Sequence, residues 1–401
     1  MPALKIALLT SSTRPCGAVV HTLALAEALA RAGQQVTVWS LAGGSSGFFR
    51  PIDPAVRVGL VPFPDVEGED VGSRRQRAVA LLAAAFAAGP GPATTATAPA
   101  ATDPTDLGYD VVHTQDWISA NAVPGRIQTV HRLEDFTAPD LVADSDRVRL
   151  RPAALVCGSA AVAAEFAGED LEVVVIPNGV ESARFAAAAA DDPAALEQRR
   201  YWTDRFGDFV LAIGGIEPRK GTLDLVRAMA RVRRRRPGTR LVIAGGDNGF
   251  DPDYRREVDA LAVRLRIEPE VLGLVEQARM PSLVAAAGAF ASLQEGLGAG
   301  AMEALAGGVP VVTRDLPVSR EVFADAVRYA EVGDGSSADL SAGLAAQLVA
   351  ALEGTTDGST ALMRRTGQAL AGRHSWDEAA MAHLALYRRL ISEGLPVGLP
   401  S

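Results

Sequence analysis

Short apolar runs, each closed by a turn and followed by a helix-forming stretch, recur along the whole 401-residue chain. Ile6 to Thr10 is the first run, and Val20 to Arg31 behind it sets Leu23, Ala26, Leu29 and Ala30 on one helical face. Gly33 stops that helix and Val36 to Leu41 starts the next strand. Val56 to Pro62, Val111 to His113, Ile127 to His131, Ala154 to Cys157 and Val173 to Ile176 continue the series. Strands that alternate with helices imply a mostly parallel sheet covered on both faces.

The pattern then starts again. Phe209 to Gly214, Arg240 to Ala244 and Val271 to Leu274 read as strands, with helices over Leu223 to Arg234, Asp253 to Leu265 and Met280 to Ala287. Trp376 to Ile391 is a last amphipathic helix. Arg184 to Tyr201 is polar and alanine-rich and reads as an interdomain linker, and the Ala/Pro/Thr/Gly-rich stretch within 87–106 reads as a mobile surface loop. The expected organisation is an α/β chain of two Rossmann-like domains with a cleft between them: 1–185, 186–375, and a terminal segment 376–401 that packs back toward the first.

Charge and cysteine content narrow the function classes. A net charge of -9 argues against a dedicated nucleic-acid binder. No run of roughly 20 apolar residues offers a membrane span, and the first residues lack the apolar core and cleavage site of a signal peptide. Two cysteines, Cys16 and Cys157, are too few for a disulfide framework or a cysteine-based metal site, so a reduced, cytoplasmic enzyme is expected. Of 39 basic residues only Lys5 and Lys220 are lysines, so a lysine kept mid-chain stands out as a compact point charge that arginine does not copy.

Lys220 closes the run Gly214-Gly215-Ile216-Glu217-Pro218-Arg219-Lys220-Gly221, a strand end and tight turn whose two cations would lie at the carboxyl edge of a sheet. The alternative is a solvated basic turn. Downstream, Gly288 to Leu293 is a short buried strand, the glycines from Gly296 make a turn, Ala299 to Leu305 is helix-forming, and Val309 to Thr313 is another strand. Glu295 and Glu303 bracket that turn. Free N–H groups at such a helix start suit a phosphate or a sugar oxygen, and a carboxylate such as Glu303 can accept from both hydroxyls of a ribose diol.

These runs, with Pro15-Cys16-Gly17-Ala18-Val19-Val20-His21, Thr129-Val130-His131 and Ile176-Pro177-Asn178-Gly179-Val180, occur in an order that resembles the retaining nucleotide-sugar glycosyltransferases of family 4, which have the GT-B fold. The Gly-Gly-Ile-Glu-Pro-Arg-Lys turn is similar to that of a bacterial subfamily associated with nitrilase gene clusters. The resemblance implies a nucleotide-sugar donor, an unidentified acceptor, no metal and no other cofactor. It implies that Lys220 contacts the donor diphosphate, Glu295 lies beside the transferred sugar, and the amides of Gly296, Leu297 and Gly298 bind sugar and phosphate. Glu303 would bind ribose, His131 would face the sugar near the reacting carbon, and Gly17 would let backbone approach the diphosphate. Backbone near Gly273 to Glu276 would read the base. Catalysis is thus expected from Glu295, His131 and Lys220. Three departures bear on this: Gly215 where arginine is common, with Arg219 the candidate replacement charge; Ala18 where a second glycine is usual; and Leu297 for phenylalanine.

His113 and Asp116 are acceptor-side candidates, His113 with an equal claim as a core residue. His21 is expected to be structural, and His374 and His383 to be surface or packing residues. Asp144-Ser145-Asp146 and Asp251-Pro252-Asp253 have metal-binding spacing but do not follow strands, and the arginines Arg233 to Arg236 read as a solvated helix end in preference to a lipid contact. The expected reaction is metal-independent sugar transfer with retained configuration. The rivals are a sugar-nucleotide epimerase on the same fold and a non-catalytic nucleotide-sugar binder. A dehydrogenase is disfavoured because Thr10 to His21 lacks a Gly-x-Gly-x-x-Gly turn.

Overall fold

A computed structural model describes residues 2–44, 47–89, 108–123, 127–131, 152–246, 252–293, 298–331, 337–354, 358–395 and 397. The chain divides into two compact units, Met1–Gly179 with Trp376–Ser401, and Val180–Ser375. Most of the stretch expected as a mobile loop, and Asp144-Ser145-Asp146, Asp251, Glu295, Gly296 and Leu297, lie outside the described residues.

The first unit runs β1 (Lys5–Thr10), α1 (Gly17–Arg31), β2 (Gln35–Ala42), β3 (Arg57–Pro62), α2 (Val71–Ala88), β4 (Val111–Thr114), α3 (Trp117–Ala122), β5 (Ile127–Val130), β6 (Ala154–Cys157), α4 (Ala160–Ala164) and β7 (Val173–Val175). Its strands form one sheet in the order β3-β2-β1-β4-β5-β6-β7, and every pairing is parallel. Alternate residues of β1 serve two cores. Ile6 and Leu8 pack with Leu23 and Leu29 of α1, while Ala7 and Leu9 pack with Trp39, Leu82 and Phe86. This two-sided burial is why the strand is apolar throughout rather than alternating.

The second unit runs α5 (Ser182–Ala188), α6 (Pro193–Phe206), β8 (Phe209–Ile213), a 3₁₀ turn Pro218–Lys220, α7 (Thr222–Arg235), β9 (Arg240–Ala244), α8 (Pro252–Leu265), β10 (Glu270–Val271), α9 (Met280–Ala286), β11 (Ala289–Ser292), α10 (Ala299–Ala306), β12 (Val311–Arg314), α11 (Pro317–Phe323), β13 (Arg328–Ala330), α12 (Ser337–Glu353) and α13 (Gly358–Gly372). Its sheet order is β10-β9-β8-β11-β12-β13, again parallel throughout. In each sheet the chain order turns around beside one strand: β1 lies between β2 and β4, and β8 between β9 and β11. Open parallel sheets bind ligands outside the carboxyl ends of the strands at such a reversal. The turn ending in Lys220 follows β8, and Gly298 follows β11.

The stretch read as a linker is folded. Phe185 of α5 is fully buried among Leu283, Leu305 and Val309, a burial that contributes about 2–3 kcal/mol, and α6 buries Trp202 and Phe206 in the same core. The first unit therefore ends at Gly179, and Val180 already donates to His374 O at 2.8 Å inside the second. The last helix, α14 (Trp376–Ser392), belongs to the first unit, where Ala380, Leu384, Tyr387 and Leu390 complete the α1-side core. The arginines that end α7 cap neighbouring chain: Arg233 donates to Arg266 O at 3.0 Å and Arg236 pairs with Asp208 at 2.8 Å.

Candidate functional site

The second unit's sheet edge is built by backbone crowding. Gly214 and Gly215 have φ of +115° and +81°. A Cβ added at Gly215 would fall 2.3 Å from Gly246 O, and one at Gly245 only 2.4 Å from Gly215 N. The ends of β8 and β9 thus touch through bare backbone, and Gly245 N–H donates on to Gly273 O at 2.8 Å. This explains the departure at Gly215: no arginine fits that turn while the neighbouring glycines hold this path. Gly215→Arg is expected to lower stability by roughly 2–4 kcal/mol rather than restore a useful charge, read as a fall in the thermal midpoint. Arg219 does not stand in freely either, because its guanidinium is ion-paired with Glu217.

Lys220 folds back over this turn. A Cβ on Gly214 would fall 2.5 Å from its Nζ and 2.6 Å from its Cε, so the ammonium lies on the open face of a glycine at the end of β8. Gly221, in the left-handed region, lets the chain pass Leu293 at the end of β11 and Arg314 at the end of β12. Arg314 is tied to Asp224 at 3.3 Å. The lysine turn and the ends of β11 and β12 are therefore neighbours at one edge. Gly298, also left-handed, caps α10, and Gly300 sits against Ile213 and Phe290.

Glu303 projects from α10 into a partly buried place facing α5. Burial, and next the charge of Glu181, push its carboxyl up to about 7, and Arg184 opposes them. A carboxyl poised near neutrality gains when hydroxyl donors replace lost water, as a diol would.

The first unit holds a different kind of cluster. His21, His113, His131 and His383 come from α1, β4, the end of β5 and α14, with the His21 and His131 rings edge-on at 4.8 Å between centroids and the His113 and His383 rings tilted at 5.5 Å. Burial lowers all four; His131 and His383 fall to about 4, and neighbouring imidazoles press His21 and His113 further down. They are neutral at pH 7. His113 Nδ1 lies 2.7 Å from Tyr387 Oη and its Nε2 2.8 Å from Thr129 Oγ1, so both ring nitrogens are engaged and the core alternative is the one its surroundings favour. His21 Nδ1 meets Asn178 Oδ1 at 3.0 Å, which makes Nδ1 the protonated nitrogen. His131 is bonded to the Gln115 backbone, while its Nε2 is buried with no partner among the described residues. The Nε2 atoms of His21 and His383 are likewise buried with no partner among the described residues, so three ring nitrogens of the cluster are open.

Asp116 caps α3 through Ser119 N at 2.9 Å and also accepts from Ser11 N at 2.7 Å and Thr10 Oγ1 at 3.0 Å, which ties the ends of β1 and β4 together. Gly17 and Ala18 open α1, and a Cβ on Gly17 would meet nothing within 4 Å. The fold itself does not require glycine there. His383 is fully buried and His374 half-buried with Nδ1 2.9 Å from Leu370 O, so both pack, as expected. Asp253 pairs with Arg256 in the first turn of α8. No group of three or more potential metal ligands occurs among the described residues, and no helix among them is long and apolar enough to cross a membrane. Sequence reasoning missed Arg184: Glu181, three residues before it, is its one local partner, and Gln277 lies 93 positions away.

Comparison with known proteins agrees with the geometry. Residues 15–184 match the family profile Glycosyltransferase Family 4, and residues 205–349 match Glycosyl transferases group 1. A D-inositol 3-phosphate glycosyltransferase of Xylanimonas cellulosilytica is 29% identical over 408 residues, covering 92% of this chain and 91% of that one. Among solved structures, sucrose-phosphate synthase from Thermosynechococcus elongatus superposes with a TM-score of 0.72 at 18% identity, covering 97% and 99% of the two chains. Anabaena HepE, solved in complex with UDP and glucose, superposes at 0.67 with 19% identity, covering 98% and 99%. Two parallel Rossmann-like units of this order are the GT-B architecture. The chain is a glycosyltransferase with the GT-B fold, and residues 15–184 form its family 4 domain.

Proposed function

We propose that the chain transfers a sugar from a nucleoside diphosphate donor, UDP- or GDP-linked, to a hydroxyl of a small-molecule or glycan acceptor, with retained anomeric configuration and without a metal. The observation that carries this is the presence, within one unit, of Lys220 at the end of β8 and of Glu303 on α10, the helix that Gly298 caps. One is a point cation suited to a diphosphate, the other a carboxylate suited to a ribose diol.

In this reading Lys220 and the amides of Gly296, Leu297 and Gly298 stabilise the diphosphate as the glycosidic bond lengthens and charge gathers on the leaving oxygen. The acceptor hydroxyl attacks from the face the diphosphate leaves, and the diphosphate takes its proton. Glu295 orients the sugar and offsets positive charge at the anomeric carbon. Neutral His131 offers Nε2 as an acceptor to a sugar hydroxyl, which a protonated ring could not do. The named inositol phosphate relative makes a phosphorylated polyol the first acceptor class to try. The chain works in the cytoplasm in this scheme, where nucleotide sugars are made.

Thermal shift against a panel of nucleotide sugars, followed by assay of nucleoside diphosphate release with and without EDTA, tests the reading. Release that EDTA abolishes, or a product of inverted configuration, would overturn the metal-free retaining scheme. Turnover of the donor to an epimer without acceptor would favour the epimerase. Gly17→Ala gives a separate check. With open space around it the fold should keep its thermal midpoint, while a methyl group where backbone meets diphosphate should weaken donor affinity roughly tenfold.

A further inference from the structure

Arg184 makes three connections that neither α5 nor the core requires. Its Nη1 donates to Glu181 Oε2 at 2.8 Å, and its Nη2 donates to Gln277 O. Its charge also acts on Glu303 of α10. Gln277 lies in the segment 272–279 between β10 and α9, which begins beside the glycine contacts of the sheet edge. The same segment is gripped from α6: the Arg279 guanidinium lies over Tyr201 at 4.2 Å and over Trp202 at 4.7 Å. Trp202 Nε1 donates to Ser282 Oγ at 3.0 Å, which in turn donates to Arg279 O at 2.9 Å. Two helices at the start of the unit therefore hold one loop, and one of them also addresses the carboxylate beside it.

We propose that Arg184 is a positioning residue of the nucleotide subsite, fixing the 272–279 loop through the Gln277 carbonyl while its charge keeps the Glu303 carboxylate ready for a ribose diol. The inference rests on the donor-site reading above. The nucleoside of a bound donor would then lie between a backbone-lined loop fixed by this guanidinium and an acidic acceptor that feels its charge. A lysine cannot reproduce this, because a single ammonium lacks the fork that serves Glu181 and Gln277 together.

The charged groups acting on Glu303 are Glu181, the residue that precedes α5, and Arg184 within it. On another face of α10, α13 brings Gln368 against Gly308 and Arg364 beside Leu305. Glu181 and Arg184 pull in opposite directions, so their removal gives opposite results. Arg184→Met should move the acid limb of nucleotide binding upward in pH, and Glu181→Gln, which keeps an acceptor for Nη1, should move it downward.

The experiment is calorimetric binding of UDP, GDP, ADP and dTDP to the full chain and to Arg184→Met, Arg184→Lys and Glu181→Gln between pH 5.5 and 8.5. For the unchanged protein, affinity for its preferred nucleotide should weaken as pH falls through about 7. Arg184→Met should bind roughly tenfold more weakly on the acid side for each unit its limb rises, with poorer discrimination among bases. Arg184→Lys should keep the limb but lose discrimination. A role confined to packing would change the thermal midpoint without moving the limb. If Arg184→Met does not fold, Glu181→Gln still decides, since a limb that does not move downward overturns the proposal. No binding of any nucleotide by the unchanged chain would instead overturn the donor-site reading itself.

Discussion

Glu303→Gln should make the unliganded protein more stable and nucleotide binding weaker. The carboxyl sits at about 7 because burial, and then Glu181, penalise its charge. A group raised from 4.5 to about 7 holds a proton in the folded chain that it has lost in the unfolded one. Stability therefore falls as pH rises through that window, and the full cost is present above it. The shift corresponds to about 3 kcal/mol, reduced by residual solvent contact to about 1–3 kcal/mol. Glutamine removes the charge, so its thermal midpoint should exceed that of the unchanged protein at pH 8 and match it near pH 4. The same change should cost roughly 10- to 100-fold in nucleotide affinity at pH 8, because two hydroxyls lose a charged acceptor. A residue that destabilises the empty fold and is needed when the site is filled is a binding group. If the variant is less stable at pH 8, Glu303 is structural.

Lys220→Met should lower kcat by about 10²- to 10³-fold while leaving the fold intact, since its ammonium would neutralise charge that grows in the transition state. Gly214→Ala offers an independent route to the same loss. The new methyl group would occupy the place of Lys220 Nζ and Cε, 2.5 and 2.6 Å away, and push the ammonium off the turn. It should cut the rate at least tenfold, and adding Lys220→Met to it should lower the rate little further. Independent, additive losses would show that Lys220 does not act from its position over Gly214.

Much of the fold was legible because parallel sheets bury both faces. β1, β6, β9 and β11 hold the apolar runs Ile6–Leu9, Ala154–Cys157, Leu241–Ala244 and Ala289–Ala291, and each run is followed by glycine or a polar residue. The less visible elements have narrow buried stripes. α2 buries only Ala78, Leu82 and Phe86 beneath an arginine-rich surface, so its four-residue period is easily lost. α6 buries Ala195, Trp202 and Phe206 amid charge, and for the same reason it reads as a linker.

Lys220, Gly298 and Glu303, the residues of the proposed donor site, stand out in the sequence because they sit in glycine-punctuated runs whose spacing is local. The histidine cluster was not, because His21, His113, His131 and His383 meet only after α14 returns to the first unit. The meaning of Gly215 was hidden for a related reason. Its missing side chain answers Gly246, a residue 31 positions away that occupies the place a Cβ would need.

The most direct measurement is release of nucleoside diphosphate from UDP- and GDP-sugars, with phosphorylated polyols as acceptors, by the unchanged protein and by Lys220→Met. The expected result is release from at least one donor, stimulated by an acceptor, retained in EDTA and reduced about 10²- to 10³-fold by the substitution. Equal release by both proteins, or neither binding nor release with any donor, would contradict the account.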